Sequence, residues 1–258
     1  EYSRHRVVIT DVLATDEDEA FDVFEALNTT GELLTAFETF KPKVVQAELE
    51  AADEGDSAPY LGSDSYKSIE ITEKYLAGFT EPKDKDSSTS SLLTSFALSE
   101  VGERIGEKKN AQRRFLRKQY SDLAELENPN ERPVQNRREF VDALSGVSRF
   151  YASGWGGSGD EVPFSALSLD EETKVCFQYL RDTRHGLTIP PLSRFYKEVL
   201  DAQGADRDGK ISEFACAIRS TTTFSVMWRA IKGGNSGIDQ EYRELMNSIF
   251  LARRSNEN

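Results

Sequence analysis

The sequence predicts a mainly α protein, a multi-helix, bundle-like region that carries one short β-strand and a helix at its N-terminal end. Three observations predict it. Apolar residues recur at three-and-four spacing along most of the chain. Capping residues and glycines punctuate those stretches at helix-length intervals. One run, RVVITDVLA at Arg6 to Ala14, reads as a strand.

The most densely signalled stretch is Val23 to Phe40. A helix begins in the acidic run Thr15 to Glu19, which offers a cap and puts negative charge at the positive end of the helix dipole. Ala20, Phe21, Val23, Phe24 and Leu27 form its core face, and Asn28 and Gly31 end it. Thr35 and Glu38 have capping-box spacing, so a second helix starts at once, with Pro42 kinking or ending it. The turn Asn28, Thr29, Thr30, Gly31 has two readings. One is a well-capped helix hairpin; the other is a set of hydroxyls, an amide and free N–H groups suited to a phosphate.

Further along, Lys43 to Ala52 extends the second helix and Asp53 to Ser65 is a loop. Tyr66, Ile69, Tyr75, Leu76 and Phe79 mark a helix, and the polar Thr80 to Ser91 reads as a mobile linker. Leu92 to Val101 is helical, with Gly102 and Gly106 near its end. Arg104 to Lys118 is the most basic stretch. As a helix it would place Lys109, Arg113 and Arg117 on one stripe, either a phosphate contact or a solvated face balanced by acidic neighbours. Glu127 to Asn136 is a loop, Arg137 to Ala152 a helix, and Gly154 to Phe164 an irregular loop without phosphate-loop spacing.

Ser168 and Glu171 suggest a capping box, and the helix they open stops near His185, which is expected to complement the helix dipole as a cation. Pro190 and Pro191 open the next helix. ADRDGKISEF resembles a calcium loop only in part. In that register Gly204 and Ala215 stand where the first carboxylate and the bidentate glutamate belong, so the stretch reads as a turn before a helix. Ile211 to Lys232 is a long helix with Phe214, Ile218, Phe224, Met227 and Trp228 expected in the core. The last helix starts at Asp239 with Tyr242, Leu245, Met246, Ile249 and Phe250 inward. Arg229, Arg243, Arg253 and Arg254 either contact phosphate or pair with surplus carboxylates.

Hydrophobic residues at 38% and charged residues at 30% describe a globular protein. With no apolar run near the ~20 residues of a membrane span and no signal-peptide pattern, a soluble cytoplasmic protein without a membrane partner is expected. Cys176 and Cys216 are read as reduced core residues, not a metal pair. A net charge of −13 opposes a whole-surface grip on nucleic acid.

The string FDVFEALNTTGELLTAFETFKP resembles the F-x-x-[IL]-N-x-x-G-x-x-L signature of the DGQQR-motif family. These proteins carry a ParB/sulfiredoxin-like domain and occur among GmrSD-type modification-dependent restriction enzymes and SspE-type phage-defence proteins. The pattern maps onto Phe24, Leu27, Asn28, Gly31 and Leu34. The resemblance implies that Arg6 to Ala14 is the last strand of the ParB-like α+β domain. Residues 1–43 would be the C-terminal end of that nucleotide-hydrolysing domain and 44–258 a helical region, divided further near 80–91 or 153–165. A chain that opens at Glu1 and holds no DGQQR is read as a fragment of a longer protein.

The same resemblance implies GTP or ATP as cofactor of the complete protein, with Asn28, Thr29, Thr30 and Gly31 facing the nucleotide. It names as partners the missing N-terminal DGQQR segment and a C-terminal nuclease of the same protein, with DNA as a further candidate. The parent protein is then expected to be an NTPase and endonuclease in anti-phage or restriction function. These residues would serve as its scaffold and coupling part, since the two histidines, His5 and His185, cannot make a His-Asn-His site. The alternative is a helical interaction module that binds DNA or a protein partner without nucleotide chemistry.

Overall fold

A computed structural model describes residues 34–52, 60–126, 134–156 and 163–256, with side chains as far as 248. The described residues form nine α-helices and no strand. They are α1 (Ala36–Glu50), α2 (Asp64–Ala77), α3 (Pro82–Val101), α4 (Lys109–Glu125), α5 (Gln135–Phe150), α6 (Glu171–Asp182), α7 (Ile189–Asp201), α8 (Ala205–Lys232) and α9 (Ile238–Asn256). A π-helical turn, Tyr151–Trp155, prolongs α5, and a 3-10 turn, Gly186–Thr188, leads into α7. The expected strand at Arg6 to Ala14 and the helix before Asn28 lie outside the described residues.

α5 is the axis. It packs on α2, α3, α4 and α7, while α8 lies across α6 and α7, and α9 across α3. The reason is its sequence: Phe140, Val141, Leu144, Val147 and Phe150 recur at helical spacing, and all are buried. Phe140 meets Phe40 and Phe96, with centroids 6.2 and 4.9 Å away. Ten residues on, about 15 Å along the axis, Phe150 meets Phe164, Phe177 and Tyr196 at 5.4, 6.1 and 6.0 Å. One helix thus supplies a ring to each of two aromatic clusters, and the buried apolar cluster runs unbroken from Ala36 to Ile218.

The capping box at Thr35 forms as expected. Glu38 N–H donates to Thr35 Oγ1 at 3.2 Å, and Thr35 N–H to Glu38 Oε2 at 2.8 Å. Pro42 sits inside α1 without ending it.

Elsewhere the structure corrects the sequence reading. Thr80 to Ser91 is not a linker, because α3 begins at Pro82, with the proline in the first turn, where its missing N–H costs nothing. Thr89 Oγ1 back-bonds to the Lys85 carbonyl at 2.8 Å, and the fully buried Leu92, Leu93, Phe96 and Ala97 anchor the same helix further on. The basic helix starts at Lys109, leaving Arg104 to Lys108 before it. α6 is capped by Asp170, not Ser168: its carboxylate accepts from Thr173 N–H at 2.8 Å.

α8 begins at Ala205, so the sequence taken for a turn is helix, and Asp206 and Asp208 lie in its first turn, where the dipole favours negative charge. Its far end departs most from expectation. Phe224, Met227 and Ile231 are exposed, as is Leu245 of α9, while Ser225, Ile238, Tyr242 and Met246 are buried. Cys216 is exposed and Cys176 half-buried, both as free thiols.

Candidate functional site

Asn28, Thr29, Thr30 and Gly31 lie outside the described residues, which begin three positions later at Leu34. The chain from Leu34 onward is firmly held. The Leu34 carbonyl accepts from Arg113 Nη2 of α4 at 3.1 Å, and Arg113, 3% exposed, also donates to Asn110 Oδ1 at 3.2 Å. Lys85 of α3 reaches the Glu38 carboxylate at 2.6 Å. Partial burial pushes the Glu38 carboxyl up, but hydrogen bonds from Lys85 and Thr35 outweigh it and hold the group below the ordinary value. The point where the chain enters α1 is therefore stitched to α3 and α4 together.

The three residues of the basic stripe sit on α4 as spaced, yet they do not face solvent as a set. Lys109 pairs with Asp86 at 3.1 Å, Arg113 is buried under the start of α1, and Arg117 is half-buried and engaged. His185 is 4% exposed, its ring 5.6 Å from that of Tyr242, and burial with the nearby Arg229 lowers its pKa to about 4. It is a neutral imidazole, not the dipole-complementing cation expected. Arg229 donates to Asn235 Oδ1 and Tyr179 OH at 2.7 and 3.1 Å, and Arg243 pairs with Asp239 at 3.0 Å.

A cleft of about 730 Å³ opens where the end of α2, the middle of α3, the π-turn, the 3-10 turn and the start of α9 converge. Its walls carry Tyr75, Phe79, Tyr151 and Trp155. The π-turn is what brings the last two there: its wide turn closes with Gly156 N–H donating to the Tyr151 carbonyl at 2.7 Å, and such turns recur at functional sites. Only glycine fits at position 154, because a Cβ there would come within 2.3 Å of the Phe164 ring. Along α3, Ser88, Ser91 and Ser95 repeat at helical spacing and line the cleft beside them. Tyr151 OH donates to the Ser91 carbonyl at 3.2 Å, and Ser95 Oγ lies 2.9 Å from the same phenol.

Burial pushes the Tyr151 hydroxyl up to about 12, against the opposing Ser95 hydrogen bond, and pushes Tyr75 above the usual tyrosine range. Both phenols stay protonated near neutrality. Charge at the rim comes in both signs, Arg104 with Glu107 and Arg243 with Asp239. No family model and no curated protein matches the chain. Among the described residues no group of three or more His, Cys, Asp or Glu side chains is placed to hold a metal. Rings, hydroxyls and balanced charges make a lining suited to binding.

The sequence reading missed this cleft because Ser88 and Ser91 lay in the supposed linker and Trp155 in a glycine-rich loop. The available signal was the recurrence of Ser88, Ser91 and Ser95 at intervals of three and four, which marks one helix face.

Proposed function

We propose that the chain is the scaffold and coupling part of a bacterial anti-phage or modification-dependent restriction protein, linking nucleoside triphosphate hydrolysis in a ParB-like domain to a nuclease effector. The observation that carries this reading is the fastening of Leu34 to Arg113 and of Glu38, the capping partner of Thr35, to Lys85. It lies immediately after the Asn28 to Gly31 motif that resembles the nucleotide-facing turn of the DGQQR-motif family. A change in that turn is only three residues from a rigid joint with two further helices, which is what a coupling element requires.

In the protein that contains the whole nucleotide site, Asn28→Ala should depress GTP or ATP hydrolysis at least ~10-fold while shifting the melting temperature little. Equal hydrolysis by wild type and variant would sink the proposal. The alternative, a helical module that binds DNA without nucleotide chemistry, draws no support from the stripe, since Lys109 is paired with Asp86 and Arg113 is buried against the Leu34 carbonyl.

A further inference from the structure

We propose that the cleft between α2, α3, the π-turn and α9 binds a nucleobase-bearing small molecule of the nucleoside class. Among the described residues, the cleft lining shares none of Leu34, Thr35, Glu38, Lys85 and Arg113, and its occupancy does not depend on the coupling role.

Size fits such a ligand. At about 730 Å³ the cleft lies within the ~300–1,000 Å³ typical of small-molecule sites. The aromatic wall fits it too. Tyr75 packs edge-on against Phe79 at 5.4 Å and at 33° to Tyr151 at 5.7 Å, while Trp155 stacks on Phe150. Phe79 and Trp155 are only half-buried, so they retain surface for a planar ring, and stacking one base on one aromatic side chain contributes ~1–3 kcal/mol.

The polar wall narrows the class. Ser88 and Ser91 have no side-chain hydrogen bond among the described residues, and a hydroxyl donates or accepts by rotating. That ambivalence fits the alternating donors and acceptors on the edge of a base, or the hydroxyls of a pentose, better than it fits an ion. The rim gives the same answer, because Arg104 and Arg243 are offset by Glu107 and Asp239, and a site built for a bare polyanion would carry one sign. Arg104, exposed at the mouth, is the group that a 5′-phosphate on the ligand would meet.

Trp155 reports on the site. The chain has two tryptophans, so Trp228→Phe leaves Trp155 as the single emitter. This variant is titrated with the common nucleosides and their 5′-monophosphates at constant ionic strength, with equilibrium dialysis of labelled adenosine as the second measurement. Saturable binding of at least one purine nucleoside is expected, weakened ~10-fold or more by Phe79→Ala and by Ser91→Leu, which sit at the edges of the cleft. Ser91 is exposed, so its variant tests the site even if Phe79→Ala perturbs folding.

A monophosphate that binds more tightly than its nucleoside, with the gain lost in Arg104→Ala, would assign the ligand to nucleotides. Equal affinities would assign it to free nucleosides. No saturable binding by either method, or the same affinity in all variants, would overturn the proposal.

Discussion

His185 shows how much a single side chain can set. The unfolded chain binds a proton near pH 6.5, whereas in the fold burial and Arg229 lower the pKa to about 4. Between these values the unfolded state holds more protons, so stability falls as pH drops through 6.5 and the loss levels off below about 4. At pH 5 this penalty should be about 1–2 kcal/mol relative to pH 7. Urea midpoints at both pH values should show the pH 5 deficit reduced in His185→Gln; an unchanged deficit would show that other groups cause it. Glu48 makes the complementary case. Its 2% exposed carboxylate accepts from Arg138 Nε and Nη2 at 2.9 and 2.6 Å and from Ser65 at 2.6 Å. Arg138→Ala leaves that carboxylate buried with one donor and should cost about 2–3 kcal/mol, measured as a lowered denaturant midpoint. Replacing both partners in Glu48→Gln with Arg138→Ala should recover part of the loss. Neither role was legible in the sequence. Nothing local marks Arg113 as buried or Arg138 as the partner of a buried carboxylate, because the groups that need them, the Leu34 carbonyl and Glu48, lie 79 and 90 residues away.

At the scale of elements, the start of α1 at the Thr35 capping box was legible because its two residues lie within one turn of each other. α3 was only half legible. Its first turns are as polar as a linker, and they are helical because Leu92, Leu93 and Phe96 hold the far end in the core while Lys85 and Asp86 pair with Glu38 and Lys109. α8 failed in the opposite sense. Phe224, Met227 and Ile231 share a face by their spacing, but Ile218, Thr222 and Ser225 occupy the side that meets the core. Apolar periodicity identifies a helix and does not say which of two faces is covered. The seat of α9 depends on Gly102, the left-handed cap of α3 at φ 67°, where a Cβ would come within 2.7 Å of the Asn247 Cα. Gly102→Ala should therefore push the last helix off α3. Amide exchange in 238–248 is expected to rise ~10-fold or more, from a local cost of ~1–2 kcal/mol, with little change in α2 and α5. Unaltered exchange would refute that account.

For the whole molecule, the fold class followed from periodicity, whereas the way the helices meet did not. The joining contacts are between rings far apart in sequence, such as Phe40 with Phe140 and Phe150 with Phe214's neighbours Phe164 and Tyr196. Because α5 contributes to both clusters, the two ends of the core should melt together. Phe150→Ala is expected to cost about 3–5 kcal/mol and to lower a single calorimetric transition; a split into two transitions would show that the clusters fold independently. The grip of Arg113 on the Leu34 carbonyl also has a mechanical side. Lifting Leu34 off the start of α1 breaks its carbonyl's bond to α4 and strains the Lys85–Glu38 pair to α3 as well as the Thr35 capping box, so fraying of the first turn is opposed by two other helices.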